Sequence, residues 1–308
     1  VYRFVSDPLD ALTAFDAGEC DLIDQTALDE SQYASLVERQ NNGDLDVLLQ
    51  IGTAWEQITF GIESVDINRP DFFALRETRQ AVAQCLDRSA IAQAAFPIEA
   101  EIPSSYVMPG DPMFNPGVEE YRFDPSAAQE LLQSVGWIDH DENPATPRSA
   151  SGVPGVPDGT SFEVTYLVPD DEIHPQVAEI AASNLAACGI QVEISPQSMD
   201  ELFAPGPEGV IFGRQFDLVQ FAWISSDEPS CDLYTTAEIP GPFPEFPRSW
   251  GGGNASGYSN PEYDRACYQG LFSLPDDPAY REGHDLAQLI FTQDLPALPL
   301  YQMGRIAV

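Results

Sequence analysis

The feature that most constrains the fold is a regular strand–helix–strand unit in the middle of the sequence. Apolar residues alternate with polar ones over 162–168, follow helical spacing over 177–188, and alternate again over 190–194. Gly189 stands where the helix ends, a position that glycine favours. This order predicts two parallel strands joined by a right-handed crossover. The sequence therefore indicates an α/β fold, and we expect the apolar run 216–223 to add a further strand to the same sheet.

The segments around this unit predict further short elements. Strand-like runs occur at 2–5, 21–23, 46–50 and 57–62, and helical patterns at 9–17 and 31–40. Asp124 and Pro125 predict the start of another helix, because aspartate caps a helix N-terminus and proline fits the first turn. Towards the end, helices are expected over 261–270 and 279–293, followed by a strand over 298–301.

The chain is strongly acidic. It carries 50 acidic residues against 13 basic ones, all of them arginine, and a formal net charge of −37. Nucleic-acid binding needs a basic face, so this composition argues against a nucleic-acid partner. An anionic membrane surface is disfavoured for the same reason. The acidic residues are spread along the whole chain, which favours a role in solubility over the attraction of a cationic ligand.

Neither a membrane span nor a leader is visible in the sequence. No run of about 18 apolar residues occurs, as a transmembrane helix would require. The sequence begins at Val1 directly on a strand-like segment, so we interpret it as lacking its natural N-terminus. The missing signal peptide then carries no information about export.

Five cysteines occur without a Cys-x-x-Cys pair, and three histidines accompany them. This set does not suit a zinc site. The residues by themselves leave two interpretations open: five buried thiols, or two disulfides and one odd thiol in an oxidising compartment.

Five segments, in order along the chain, share motifs with one protein family. Residues 121–137 read YRFDPSAAQELLQSVGW, close to the pattern Y-x-Y-D-P-x-x-A-x-x-L-L-x-x-A-G-W, and 257–264 read GYSNPEYD, close to N-Y-S-N-P-x-Y-D. The other matches are LTAFDAGECDLID at 12–24, the helix pair at 73–91, and ALPLYQ at 297–302. Together they resemble the peptide/nickel-type bacterial extracellular solute-binding proteins, family 5, of ABC importers.

The resemblance implies a periplasmic-binding-protein-like type II fold, a two-lobed clamshell with the ligand between its lobes. Family members are considerably longer, so the sequence is expected to be a fragment that lacks an N-terminal part and a short C-terminal piece. It would hold mostly one complete lobe plus part of the other. Residues 1–56 would belong to lobe I, 57–298 would form lobe II, and 299–308 would be a strand that returns to lobe I.

By the same resemblance, the chain is expected to be the extracytoplasmic substrate-binding subunit of an ABC importer. It would capture a small peptide-like or oligosaccharide-like solute, work with the permease subunits, and catalyse nothing, and no cofactor is expected. It would lie in the periplasm or at the cell surface, with a lipoprotein anchor outside this sequence. The alternative is a surface structural or assembly protein that reuses the fold without transport.

The ligand site is expected beyond the carboxyl end of the 216–223 strand, where the loops of an open α/β sheet diverge. Peptide binders of the family carry a Trp-x-x-Asp step there, whose carboxylate meets the peptide α-amino group. Here Ser226 holds the aspartate position, so a weaker preference for free amino termini is expected, unless Asp227 takes over. The candidate contacts, beside the close-approach glycines 251–253, are Trp223, Ser225, Ser226, Asp227, Trp250 and Asn254.

The expected export also predicts which cysteines form disulfides. In an oxidising compartment we expect a Cys231–Cys267 disulfide, which would join a cleft loop to the 261–270 helix. A Cys85–Cys188 disulfide would tie together two helices of lobe II. Cys20 is left single or paired with a region outside this sequence.

No catalytic or metal site emerges. The three histidines are scattered, and His174, directly before Pro175, is most simply a helix-entry residue. Residues 139–143 have the oxygen spacing of the first half of a calcium loop, but the glycine and glutamate that complete such a loop are absent. No metal site is therefore predicted.

Overall fold

A five-stranded mixed sheet organises the chain in a computed structural model. The model describes residues 2–28, 30–66, 69–96, 101–141, 143, 146–226 and 228–308. The strands are β1 (Leu48–Phe60), β2 (Trp137–Ile138), β3 (Ser149–Ala150), β4 (Glu163–Pro169), β5 (Gln191–Gln197), β6 (Leu218–Ile224) and β7 (Ala297–Ala307). The large sheet has the order β5-β4-β6-β1-β7, and β2 pairs with β3 separately.

The three strands predicted in the middle of the sequence lie in this one sheet, as expected. β4 is parallel to both β5 and β6. The sheet is completed by β1 and β7, which run antiparallel to their neighbours. From Tyr166 onwards β4 is buried on both faces, which explains why the alternation of its first residues gives way to an apolar run.

The segment 46–62 forms one strand, and the prediction of two separate strands there is wrong. β1 is 13 residues long. Its register against β7 shifts between Ile51 and Trp55. At Gly52 a Cβ atom would stand 2.9 Å from the Met303 carbonyl oxygen, so the backbones approach closely at this irregularity. The glycine and the change in pattern therefore mark a bulge within one strand and not a strand boundary.

Helices precede, separate and follow the strands along the chain. They are α1 (Pro8–Asp16), α2 (Tyr33–Asn42), α3 (Arg76–Cys85), α4 (Arg88–Ala95), α5 (Pro125–Ser134), α6 (His174–Ala187), α7 (Met199–Leu202), α8 (Pro261–Phe272) and α9 (Pro278–Asp294). Four of them begin with a side chain that caps the helix, followed directly by proline. The capping residues Asp7, Asp124, Asn260 and Asp277 accept backbone N–H bonds that the first turn leaves free.

The strands predicted at 2–5 and 21–23 do not form. Residues 2–5 have no regular structure, and Tyr2 and Phe4 are almost fully exposed. Ile23 instead exchanges two backbone hydrogen bonds with Val308, of 2.7 and 3.1 Å. The contact of Ile23 with Val308, directly after β7, is thus a single residue pair, which is too short to build a strand.

Both predicted disulfides are present. Cys85 and Cys188 join the ends of α3 and α6, with their Cα atoms 6.4 Å apart. Cys231 and Cys267 join the loop after β6 to α8, with a Cα separation of 5.6 Å. On the chain-entropy model, each of these disulfides raises the free energy of unfolding by about 4 kcal/mol, because it closes a long loop in the unfolded chain. Cys20 is a free thiol.

Two further findings concern the described residues. None of their helices is long and apolar enough to cross a membrane. No group of three or more His, Cys, Asp or Glu side chains among them is arranged so that it could hold a metal ion, and Asp139 and Asp141 accept backbone N–H bonds of their own turn. Residues 142 and 144 of the calcium-like segment lie outside the part that the structure describes.

Candidate functional site

Trp223, Ser225 and Ser226 lie at the carboxyl end of β6, as predicted. Trp223 is half-buried, stands opposite Trp55 of β1, and packs edge-on against Phe221 at 5.6 Å. The backbone N–H of Ser225 donates to the Thr53 carbonyl at 2.7 Å, while its buried Oγ has no partner in the described part of the chain.

The exposed Ser226 closes its own turn. Its Oγ donates to the Glu228 carbonyl at 2.6 Å and contacts the Ser230 Oγ at 3.1 Å. Asp227, the proposed substitute for the family's aspartate, lies outside the described residues.

Trp250 and Asn254 lie near the opposite end of β6, so the expected grouping with Trp223 is wrong. Trp250 packs against Gly206 and lines a cavity with residues that precede β6, among them Gln215. The seven residues of β6 separate this end from Ser225 by about 20 Å. The reason is that the loop after β6 doubles back along the sheet before it reaches Trp250.

The side chain of Asn254 is buried and forms its hydrogen bonds within the protein. It is 1% exposed. Its Nδ2 donates to the carbonyls of Thr235 and Tyr258, and its Oδ1 accepts from Ser256. These contacts fix the loop 235–258, and we leave Asn254 out of the ligand site.

A cavity of about 410 Å³ lies at the carboxyl ends of the parallel strands, and we call it the cleft cavity. One wall comes from the N-terminal segment, through Leu28 and Tyr33. The other walls come from the end of β4 and the start of α6, from Phe221 and Ala222 of β6, and from Met303 of β7. This is the edge at which an α/β sheet binds ligands, and the volume suits a small solute.

Three ionisable side chains form a connected cluster in the cleft cavity. His174 lies at the start of α6, and its Nε2 is 2.9 Å from Oε1 of Glu56. Its Nδ1 is 2.5 Å from Oδ2 of Asp171. The other oxygen of Asp171 accepts the backbone N–H groups of Ile173 and His174. The imidazole therefore bridges strand β1 and the loop that leads into α6.

The cluster holds His174 in its charged form. Burial lowers the pKa of His174, but the hydrogen bonds and charges of Asp171 and Glu56 outweigh it and raise the pKa to about 10. Burial acts to raise the pKa of Asp171, but the hydrogen bonds that Asp171 accepts from His174 outweigh burial and lower its pKa. At neutral pH the cleft cavity thus contains an imidazolium held by two carboxylates.

Sequence reasoning missed this cluster. It interpreted His174 only as a helix-entry residue, and it assigned no role to Glu56. The two residues are 118 positions apart, and no local pattern links them. The available signal was a single acidic residue, Glu56, within the otherwise uncharged strand β1.

A second cavity of about 470 Å³ lies at the other end of the sheet, lined by Ser64, Asp66, Arg69, Gln215 and Trp250 among others. It is larger than the cleft cavity. Its arginine is paired, since Arg69 bonds the buried Asp217 at 2.8 Å. The cleft cavity is the better candidate because it lies at the carboxyl ends of the strands.

Fold and cavity together define the class of protein, a binding protein of the periplasmic type II architecture. The chain matches the family model of bacterial extracellular solute-binding proteins, family 5 Middle, over residues 1–240, and it belongs to this family. The family assignment made from the sequence motifs is thereby confirmed.

Curated relatives include the oligopeptide-binding protein OppA of Mycobacterium tuberculosis, 26% identical over 238 residues, or 75% of this chain and 35% of OppA. An uncharacterized lipoprotein of the same organism is 27% identical over 293 residues, 89% of this chain and 46% of that protein. The chain thus spans about a third to a half of the curated relatives it matches.

Solved structures with the same fold include the oligopeptide-binding protein of Thermus thermophilus in complex with a pentapeptide. It has a TM-score of 0.80 and 24% identity, and the match covers 99% of this chain and 51% of that one. NikZ of Campylobacter jejuni, in complex with Ni(L-His), has a TM-score of 0.74 and 15% identity, with 99% and 55% covered. These likenesses show the fold.

Proposed function

We propose that this chain is the ligand-binding portion of the extracytoplasmic substrate-binding subunit of an ABC importer. It captures a small peptide-like or oligosaccharide-like solute between two lobes. The observation that carries the proposal is the cleft cavity, which lies at the carboxyl ends of the parallel strands and has walls from both the N-terminal segment and the main sheet.

The lobe boundaries expected from the sequence belong to this proposal. Residues 1–56 form part of lobe I, 57–298 form lobe II, and 299–308 return to lobe I. The long pairing of β1 with β7 supports it, because these two strands run side by side from Leu48 to Thr59. Such a pair of strands suits a connection about which two lobes close.

We further propose that Trp223 and Ser225 contact the solute. Trp223 offers a flat apolar face at the end of β6, and the buried Oγ of Ser225 remains available for a hydrogen bond. Ser226 uses its hydroxyl within its own turn, which supports a weak preference for free peptide amino termini. The permease subunits are the partners, and the periplasm or the cell surface is the location.

The test is to purify the full-length protein from its native host and to identify released small molecules by mass spectrometry after denaturation. The expected result is one solute per protein, which rebinds to the emptied protein in isothermal titration calorimetry. A symmetric assembly that covers the cleft and holds no solute would contradict the proposal and favour a structural role at the cell surface.

A further inference from the structure

The side chain of Glu56 is incompletely satisfied inside the cleft cavity. It projects from the inner strand β1, between Ala222 of β6 and Tyr301 of β7, and is 2% exposed. Its Oε1 accepts from His174. Its Oε2 is buried and has no hydrogen-bond partner among the residues that the structure describes. Buried carboxylate oxygens are normally bonded, so a free one that borders a cavity indicates a donor supplied by a ligand.

The charges around the cleft cavity indicate the kind of donor. The described side chains that line it include three carboxylates, Glu56, Asp171 and Glu172, and a single basic group, His174. His174 is already bonded to two of these carboxylates. The cavity therefore keeps an excess of negative charge, which a neutral solute does not balance and a positively charged one does.

The rest of the lining suits the stem that carries such a charge. Phe221, Met199, Met303 and Leu28 present apolar surface to the same cavity. Flexible methionine side chains adapt to aliphatic chains of different shape. A solute with a cationic head on an aliphatic stem would bury its stem against these residues while the head reaches Glu56.

We propose that the cleft cavity selects solutes that carry an ammonium or guanidinium group at the end of an aliphatic stem, and that an N–H of this group donates to Oε2 of Glu56. This inference rests on the proposed solute-binding function and names the class of solute. Charge-assisted hydrogen bonds of this kind are about twice as strong as neutral ones. The carboxylate that meets the cation lies on β1, and not in the turn after β6, where Ser226 replaces the aspartate of the family's peptide binders.

The experiment uses the full-length protein, emptied of any bound solute, and two probes that differ in charge alone. The first is a tetrapeptide with acetylated and amidated ends and one arginine, and the second carries citrulline in its place. The neutral citrulline keeps the size and most hydrogen-bonding atoms of arginine. We expect the arginine peptide to bind about tenfold tighter or more by calorimetry, which corresponds to about 1.4 kcal/mol. Spermidine serves as a second, non-peptide cationic probe.

The variant Glu56→Gln keeps the shape of the side chain and removes its charge. We expect it to lose the preference for the arginine peptide and to bind the citrulline peptide as the wild type does. Glu262→Gln is the matched control, because Glu262 is exposed on α8 and its replacement should leave the preference intact. If Glu56→Gln does not fold, the comparison of the two peptides on the wild-type protein still decides the matter.

The outcomes separate the inference from the proposed function. Equal binding of both peptides, or a neutral oligosaccharide that co-purifies and rebinds, would overturn the selection for cations and leave solute binding intact. A protein that neither co-purifies with a solute nor binds any probe would overturn both.

Discussion

A buried carboxylate lines the cleft cavity and another lies beside the second cavity at the opposite end of the sheet, and the two differ in how many of their oxygens are hydrogen-bonded. Asp217, near the second cavity, is 7% exposed and has both oxygens satisfied. Oδ1 accepts from Arg69 and Oδ2 accepts the backbone N–H of Thr165 at 2.9 Å. Glu56, in the cleft cavity, is 2% exposed and has only one oxygen bonded among the described residues.

This difference separates a structural role from a binding role. A carboxylate whose partners all come from the protein stabilises the fold, and removing it leaves a buried cation unpaired. A carboxylate with a free oxygen in a cavity contributes less to the fold and more to binding. Cavity volume alone would favour the second cavity as the binding site, since it measures about 470 Å³ and the cleft cavity about 410 Å³.

The largest expected effect is on stability at the second cavity. Asp217→Ala leaves the mostly buried guanidinium of Arg69 and the N–H of Thr165 without their acceptor, and should lower the free energy of unfolding by about 3 kcal/mol. Glu56→Gln should lower it by less, about 1 to 2 kcal/mol, since an amide still accepts from His174 and Asp171 still balances the charge of the imidazolium. Urea unfolding at pH 7 measures both, and equal losses would erase the distinction between the two carboxylates.

The second prediction concerns pH and the cleft cavity. Because His174 binds its proton more tightly in the folded state, its contribution to stability is complete below pH 6.5 and is lost as the pH rises towards 10. We expect the free energy of unfolding to fall by roughly 2 kcal/mol over this range. This is less than the whole pKa shift of His174 would give, because solvent screens the half-exposed Asp171. The groups that face His174 are Glu56, Asp171 and Glu172.

Unfolding curves of the wild type and of His174→Gln, recorded between pH 6 and 10, measure this contribution. The difference between the two proteins isolates the contribution of His174 from the pH dependence that both proteins share. Parallel pH profiles would show that the imidazole does not hold its proton through this cluster.

The third prediction compares the two tryptophans. Trp223→Ala should weaken binding of the co-purified solute about tenfold, because it removes an apolar face at the carboxyl end of β6, one residue beyond Ala222 of the cleft cavity. Trp250→Ala should change the affinity less than about twofold, because it lies at the other end of β6. Calorimetry on the full-length protein decides this. A larger effect of Trp250→Ala would move the site to the second cavity.

The smallest expected effect comes from restoring the family's aspartate. Ser226→Asp should strengthen the binding of a tripeptide with a free amino terminus by about threefold, a modest gain because the turn is exposed to solvent. An N-acetylated tripeptide should bind both proteins equally. The same gain with the acetylated peptide would show that the new carboxylate does not meet the amino group.

The sequence by itself determined the elements whose signals are local. The β4–α6–β5 unit follows from alternation and helical spacing, and the helix start at Asp124 follows from a capping side chain before proline. The family motifs added the type of fold and the expectation of export, from which both disulfides were predicted. Each of these signals is contained in one continuous stretch of sequence or in a motif of fixed order.

The tertiary structure alone decided the site. Glu56 meets His174 because α6 begins at the end of the sheet to which the Glu56 side chain of β1 extends, and Trp250 is separated from Trp223 because the loop after β6 doubles back. Likewise, β1 is one strand because β7 pairs with it across its bulge. Contacts between residues more than a hundred positions apart depend on how whole elements pack. Periodicity records only which face of an element is buried, and not which distant side chain it meets there.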